Sequence, residues 1–295
     1  MKAKTRRAAA LQDEPRTVEL RGHDGLVLRG DAWGSPDARP VLLLHGGGQT
    51  RHSWSGTAQR LAEQGWYALS LDLRGHGESD WSPGGAYDLE DFVRDLAAVA
   101  GTLARAPAVV GASLGGMAAL CAAGEAKSPL LSAVVLVDVT PRLEANGVTR
   151  IISFMTDRPE GFASLEEAAD AVAAYRQHRA RPSDLAGLAK NLRRGDDGRW
   201  RWHWDPKFIS PDGRTRSSMT PDRLLEAARG LRVPTLLVRG KQSDVVSLAG
   251  AAEFQAAVPH ARFVDVSGAG HMVAGDRNDL FTDAVLEFLR RDVPR

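Results

Sequence analysis

Several features that would assign this chain to a special class are scarce or missing. Cys121 is the one cysteine among 295 residues, which excludes an intramolecular disulfide and is typical of a reducing compartment. Charge of one sign is not in excess, since 38 lysines and arginines against 37 aspartates and glutamates leave a formal net charge of +1. That balance gives no electrostatic reason to expect nucleic acid or an acidic surface as a partner.

Long apolar runs are missing too. No segment approaches the roughly 20 apolar residues that a membrane-spanning helix needs. The basic start MKAKTRRAAA lacks the apolar stretch of a secretory signal. We therefore expect a cytoplasmic protein with no membrane or nucleic-acid partner, whose residues 1–15 form a flexible tail.

Short apolar runs alternate with helical patterns through most of the chain. The apolar runs predict strands at 17–20, 26–32, 41–44, 67–71, 108–110, 133–137, 235–238 and 262–266. The main helical patterns cover 53–64, 89–104, 114–125, 248–258 and 279–290. Continuous apolar strands separated by helices predict an α/β fold with a parallel sheet covered on both faces. The turn signal at 23–25 predicts antiparallel pairing of the first two strands at one edge.

The segment 141–229 interrupts this alternation. It carries no good buried strand, and its charged, alanine-rich patterns over 165–178 and 185–193 predict helices. We therefore predict a helical cap at 141–229, lying over the carboxyl ends of the strands. The core then consists of 16–140 and 230–295.

Ser113 lies in the pattern Gly-Ala-Ser-Leu-Gly, between a predicted strand and a predicted helix. A sharp strand-to-helix turn exposes the central side chain, and the flanking Gly111 and Gly115 allow the neighbouring backbones to pass closely. The pattern alone is weak because glycine and serine are common in turns. Its position between a strand and a helix makes Ser113 a strong candidate nucleophile.

A serine nucleophile needs a base and an orienting acid. His271, in a glycine-rich loop after the last strand, is the best candidate base. Asp244, on the loop after the strand at 235–238, is the favoured acid, because catalytic groups gather at the carboxyl ends of parallel strands. Asp138, at the end of the strand at 133–137, is the alternative acid. It could instead hydrogen-bond the loop backbone or cap a helix.

The oxyanion formed during attack on a carbonyl needs N–H donors. Leu114, next to the nucleophile at the start of a helix, supplies one predicted donor. Gly47, in the His45-Gly46-Gly47-Gly48 run after the strand at 41–44, is the favoured second donor, with Gly48 as the alternative. His45 is expected to brace this loop by hydrogen bonds. Asp72 and Arg74 are expected to pair with each other and hold neighbouring loops.

Three tryptophans alternate with polar residues at 200, 202 and 204. One interpretation is that they pack the cap onto the core, and the other is that they form an aromatic wall for the substrate. We hold both open. The candidate pocket residues are Gly48, Met117, Phe154, Trp204 and Met272, with Met155 and Met219 as weaker candidates.

These motifs, in this order, resemble the serine hydrolases of the α/β-hydrolase superfamily, in the lidded esterase and epoxide-hydrolase-like branch. The matching segments are 45–48, 72–79 and 111–115, with Asp244 and Gly270-His271. The resemblance covers nearly the whole chain and implies an eight-stranded, mostly parallel sheet, a helical cap, and neither cofactor nor metal. Epoxide hydrolases and haloalkane dehalogenases of this branch use an aspartate nucleophile, so Ser113 argues against both activities.

The expected activity is hydrolysis of small to medium, partly apolar carboxylic esters or lactones through an acyl-enzyme. Two alternatives use the same triad: a cofactor-free perhydrolase, scored in some families as a haloperoxidase, and a hydrolase of carbon–carbon bonds. A non-catalytic ligand receptor on the same fold is a further alternative. The expected partner is a small ester-like molecule, and the chain is expected to be a monomer or a homodimer.

Overall fold

Residues 14–175, 184–209, 218–271 and 278–293 are described by the computed structural model of the chain. The predicted tail at 1–15 lies outside these ranges except for Glu14 and Pro15. The strands are β1 (Arg16–Arg21), β2 (Val27–Trp33), β3 (Arg39–Leu44), β4 (Trp66–Leu71), β5 (Ala108–Ala112), β6 (Ala133–Val137), β7 (Leu192–Arg194), β8 (Trp200–Trp202), β9 (Thr235–Gly240) and β10 (Arg262–Val266).

The helices of the core lie close to their predicted bounds, whereas the helix predicted at 185–193 ends at Ala189 and those at Ala145–Thr156 and Pro221–Gly230 were not predicted. In chain order the helices are α1 (Ser55–Glu63), α2 (Leu89–Gly101), α3 (Ser113–Gly124), α4 (Ala145–Thr156), α5 (Leu165–Tyr175), α6 (Leu185–Ala189), α7 (Pro221–Gly230), α8 (Leu248–Ala257) and α9 (Asn278–Asp292). Short 3₁₀ turns cover Arg51–Trp54 and Pro206–Ile209. Among the described residues, no helix is both long and apolar enough to cross a membrane.

Eight strands form one sheet in the order β1-β2-β4-β3-β5-β6-β9-β10. β2 pairs antiparallel with both β1 and β4, and every other pairing in the sheet is parallel. The mostly parallel α/β sheet and the edge hairpin are therefore confirmed. All eight sheet strands lie within a few residues of their predicted bounds.

Both faces of the central strands are buried, which is why these strands are apolar throughout. Along β3, Leu42 and Leu44 belong to the apolar layer that includes α2, α3, α7 and α8. Val41 and Leu43 belong to the opposite layer, with α1 and α9. This alternation follows from the two-residue period of a strand. Because both faces of the sheet are covered, a site is expected at the carboxyl edge of the sheet, where the loops lie.

The segment predicted as a helical cap contains α4, α5 and α6 but also the antiparallel hairpin β7–β8, which we did not predict. Its strands have three residues each, too short for a two-residue apolar period to stand out. A small apolar cluster of its own holds the cap together, formed by Phe162, Ala168, Ala169, Val172, Leu188 and Leu192.

Helix α7 lies inside the predicted cap segment but packs on the flank of the sheet. Its Leu224, Ala227 and Ala228 belong to the same apolar layer as α3. Gly124 of α3 and Gly230 of α7 approach each other so closely that a side chain at either would meet backbone. By its packing, α7 therefore belongs with the core. A single sequence does not reveal this, because the helix pattern is the same in both settings.

Candidate active site

Ser113 stands at the corner between β5 and α3. Its backbone φ of 43° lies in the left-handed region, which a non-glycine residue adopts only when its surroundings impose it. A Cβ atom on Gly111 would come 2.5 Å from the Gly115 carbonyl oxygen, and one on Gly115 would come 2.6 Å from Leu44 Cβ. Glycine at both positions is therefore required for the sharp turn that presents the serine.

The glycine loop after β3 runs beside this serine. A Cβ atom on Gly46 would lie 3.2 Å from Ser113 Cβ. Gly47 and Leu114 line the same cavity as Ser113. Leu114 is in the first turn of α3, where backbone N–H groups have no acceptor within the helix. The structure thus brings both predicted oxyanion donors to the cavity beside the nucleophile.

His45 braces the glycine loop, as expected. Its Nδ1–H donates to the Gly46 carbonyl at 2.8 Å, and its Nε2 accepts the Leu73 N–H at 3.0 Å. The ring is fully buried, and burial lowers the pKa of His45 to about 4. A neutral histidine with both nitrogens occupied is a structural support of the loop.

His271, the predicted base, lies on the loop after β10 and lines the same cavity as Ser113. Its Nδ1 lies 2.7 Å from Oδ2 of Asp138. Donation from Nδ1 leaves Nε2 as the nitrogen that can accept a proton, which is the tautomer a general base needs.

The favoured acid, Asp244, is wrong as the partner of His271. Its carboxylate pairs instead with Arg150 of α4, Oδ2 to Nη1 at 3.2 Å, and its side chain is 40% exposed. Asp138, the alternative, is fully buried and contacts the histidine. Both aspartates follow strands at the same edge of the sheet, so the sequence did not discriminate between them. The structure separates them by their place in the loops: Asp138 directly follows β6 with a positive φ, whereas Asp244 lies four residues past the end of β9 and pairs with the cap.

Asp138 is held by more than the histidine. The Gly240 N–H donates to its Oδ1 at 3.1 Å, and the Ser243 hydroxyl donates to its Oδ2 at 2.6 Å. Asp138 also has a positive φ of 48°, which turns its side chain out of the line of β6. We did not predict Ser243. The sequence feature that could have pointed to Ser243 is its position directly before Asp244, the favoured acid.

The cavity that joins these residues has a volume of about 410 Å³. Four of the predicted pocket residues line it: Gly48, Met117, Phe154 and Trp204. The weaker candidates Met155 and Met219 line it as well. Met272 lies outside the described residues. Among the described lining residues, Asp184 and His271 are the ones that carry an acidic or basic side chain.

The tryptophans of the stripe take different places: Trp204 packs in an apolar layer of the core, as the packing interpretation expects, and the substrate wall stays a prediction. Trp202 and Trp204 line the cavity and stack on each other with ring centroids 5.2 Å apart and planes 11° from parallel. Phe154 continues this wall, its ring 5.3 Å from that of Trp202. Trp200 packs against the cap's own apolar cluster and lies beside the Arg194 guanidinium. Trp202 and Trp204 are two residues apart, and alternate residues of an extended segment share a face, which brings both rings to the cavity.

The expected pairing of Asp72 with Arg74 is wrong. Asp72 pairs with Arg51, Nη1 to Oδ2 at 2.5 Å. Arg74 pairs with Asp95 of α2 at 2.6 Å and with Asp24 at 3.1 Å. Two residues apart in one loop, the two side chains point to different neighbours. Each still makes the charge-assisted contacts that hold loops together, but with partners distant in sequence.

Buried polar contacts attach the cap hairpin to the core loops. His203 accepts the Gly77 N–H through Nδ1 at 2.7 Å and donates through Nε2 to the Gly48 carbonyl at 3.3 Å. Burial, reinforced by the neighbouring His76, lowers the pKa of His203 well below its usual range. The Tyr87 hydroxyl donates to Asp205 at 2.5 Å. The cap is thereby fixed against the same glycine loop that faces Ser113.

Comparisons with known proteins show the family to which the chain belongs. Residues 39–277 match the model of a family described as the alpha/beta hydrolase fold. The esterase Rv0045c of Mycobacterium tuberculosis is 35% identical over 252 residues, which are 83% of this chain and 80% of that protein. The 2-(acetamidomethylene)succinate hydrolase of Mesorhizobium japonicum is 31% identical over 84% of this chain and 87% of its own length.

Solved structures extend the likeness to the whole architecture. An α/β hydrolase from Novosphingobium aromaticivorans superposes with a TM-score of 0.80 at 26% identity, covering 95% of this chain and 99% of that one. The M. tuberculosis esterase gives a TM-score of 0.75 at 30% identity, covering 95% of this chain and 93% of its own. These relatives favour ester hydrolysis over the perhydrolase, carbon–carbon hydrolase and receptor alternatives.

Proposed function

Because this chain belongs to the α/β-hydrolase fold family and is an ester hydrolase, we propose that its catalytic triad is Ser113, His271 and Asp138. The observation that carries this assignment is the 2.7 Å contact between His271 Nδ1 and Asp138 Oδ2, in a cavity that Ser113 also lines. Asp244, bound to an arginine of the cap, takes no part in it.

The proposed reaction is acyl transfer to the serine and then to water. His271 Nε2 takes the proton of Ser113 Oγ as this oxygen attacks the ester carbonyl. The N–H groups of Gly47 and Leu114 receive the negative charge on the carbonyl oxygen. His271 then gives its proton to the leaving alcohol, and a water molecule repeats the cycle on the acyl-enzyme. Asp138 holds the imidazole tautomer and stabilises its cationic form throughout.

The proposed substrates are neutral, partly apolar esters or lactones of small to medium size. The wall of Phe154, Trp202 and Trp204 favours an aryl or alkyl group, and a cavity of about 410 Å³ accommodates one of moderate length. No lysine or arginine stands among the described lining residues, and Asp184 is acidic. We therefore propose that this chain does not share a dicarboxylate substrate with the 2-(acetamidomethylene)succinate hydrolase.

The test combines active-site labelling with an ester series. We expect a fluorophosphonate probe to label the wild-type chain and Ser153→Ala, an exposed serine of α4, but not Ser113→Ala. Turnover of 4-nitrophenyl esters of increasing acyl length should fall by at least about 10⁴-fold in Ser113→Ala. Parental turnover by Ser113→Ala would overturn the nucleophile, and faster turnover of a dicarboxylate ester than of a neutral one would overturn the substrate class.

A further inference from the structure

Ser243 lies on the loop between β9 and α8, outside the cavity, and contacts the proposed acid. Its hydroxyl donates to Asp138 Oδ2 at 2.6 Å. His271 Nδ1 approaches this same oxygen at 2.7 Å. One carboxylate oxygen therefore receives both donors, while the Gly240 N–H occupies the other oxygen at 3.1 Å.

The geometry fixes the direction of the Ser243 proton. A serine hydroxyl has one proton to donate and two lone pairs that accept. The Val245 N–H and the Val246 N–H both point at Ser243 Oγ, at 3.2 Å and 3.0 Å. With its lone pairs engaged by two backbone donors, the hydroxyl directs its proton to Asp138. Such an oriented hydroxyl is preorganised to hold a carboxylate, because its lone pairs are engaged and its one proton is directed at Asp138.

We propose that Ser243 is a positioning residue of this enzyme, acting on the reaction through Asp138. With Gly240 it fixes the plane of the carboxylate, so that Oδ2 stays in line with the His271 ring. Without the hydroxyl, Asp138 keeps a donor on Oδ1 but is free to rotate the oxygen that orients the base. This role rests on the proposed triad, and it predicts a loss in the chemical step while substrate binding stays intact.

A purely structural role is the alternative, in which Ser243 only fastens its own loop. The backbone of this loop has other attachments: the Lys241 N–H donates to Val266 O at 3.0 Å and the Gln242 N–H to Ala269 O at 2.9 Å. Arg239 Nε donates to Val246 O at 2.7 Å. Because these attachments remain, we expect the loop to keep its course in Ser243→Ala even though the Val245 and Val246 N–H groups lose their acceptor, and circular dichroism checks that the variant folds.

The first measurement is the steady-state kinetics of Ser243→Ala and Ser243→Thr on a 4-nitrophenyl ester. We expect kcat of Ser243→Ala to fall by about tenfold to a hundredfold with KM nearly unchanged, which is the range for a hydrogen bond to a charged group. Ser243→Thr, which keeps the hydroxyl, should recover most of kcat. The matched control is Ser247→Ala on the same loop, whose Oγ accepts the Gly250 N–H at the start of α8. It should lower the melting temperature and leave kcat unchanged.

The second measurement is a double-mutant cycle with Asp138→Asn. If Ser243 acts through Asp138, adding Ser243→Ala to Asp138→Asn changes kcat by less than about twofold. Full kcat in Ser243→Ala would overturn the proposal, as would a multiplicative loss in the double variant. Full kcat in Asp138→Asn alone would instead overturn the proposed triad, so the two failures are distinguishable.

Discussion

In the core, the proposed catalytic groups follow three strands of one sheet, whereas in the cap the proposed substrate wall comes from side chains of a short hairpin and the residues beside it. Ser113, Asp138 and His271 stand after β5, β6 and β10, and topology alone brings those strand ends together. Trp202 and Trp204 reach the cavity because β8 and the residues after it fold down onto the glycine loop.

The core and the cap also differ in the contacts that hold each of them in place. The core is held by two continuous apolar layers on either side of the sheet. The cap has a small apolar cluster of its own and is fastened to the core in two ways. Met155, Trp204 and Phe208 pack in one of the core's apolar layers, and His203 and Asp205 make buried polar contacts with core loops. In the proposed function, the sheet holds the catalytic groups and the cap contacts the substrate.

The largest expected effect is in the core and concerns the acid. Asp138→Asn removes the charge that stabilises the imidazolium and presents an amide to His271 Nδ1, which favours the wrong tautomer. We expect kcat to fall by about 10⁴-fold, with the fold retained by circular dichroism. A fall of less than tenfold would mean that another group orients His271.

Three buried histidines where the cap meets the core loops should make the free energy of unfolding sensitive to acid. Burial lowers the pKa of His45 to about 4, that of His76 to about 3 and that of His203 well below its usual range. In the unfolded chain these rings take up protons near pH 6.5. The unfolded state thus binds more protons, so stability is full above about pH 6.5 and is lost as the pH falls.

The expected slope is about 1.4 kcal/mol per pH unit for each of these histidines, so about 4 kcal/mol per unit for three, between about pH 6 and 4.5. Urea unfolding at several pH values measures it. His260→Gln, at an exposed histidine, is the control and should keep the slope. His203→Gln should reduce it by about one third, and a flat profile from pH 6.5 to 5 would contradict the prediction.

A cap substitution should change selectivity with little effect on the chemistry. Trp204→Ala removes a buried indole that lines the cavity and stacks on Trp202. We expect kcat/KM to fall about tenfold for aryl or long acyl esters and about twofold or less for an acetyl ester. Trp200→Ala, on the same hairpin but packed within the cap, should leave the ratio of the two substrates unchanged. Equal losses on both esters would argue against an aromatic substrate wall.

The smallest effect is expected from the ion pair that spans the two regions. Asp244 and Arg150 are 40% and 58% exposed, so solvent screens their attraction. Asp244→Asn should cost about 1 kcal/mol or less in the free energy of unfolding and change kcat by less than about twofold. A large loss of kcat here, beside an active Asp138→Asn, would restore Asp244 as the acid.

Much of the core could be predicted because its signals are local. An apolar run such as 133–137 specifies a buried strand, and Gly111 with Gly115 specifies the turn that presents Ser113. His271 could be found because few histidines follow a late strand. The cap hairpin could not be predicted because three-residue strands carry too little periodicity. The residues of α7 fell within the segment predicted as the cap, and only their packing places them beside α3.

From the sequence we predicted the strands of the sheet, the candidate nucleophile Ser113, the candidate base His271 and the glycine loop at 45–48, since the signals for each lie within a few residues of one another. Only the folded chain shows which aspartate contacts His271, that Arg74 pairs with Asp95, and that Ser243 donates to Asp138. In each case the two partners are distant in sequence, and the sequence around each residue does not specify its partner. A hydrogen bond requires an approach within about 3 Å, which depends on how the loops fold.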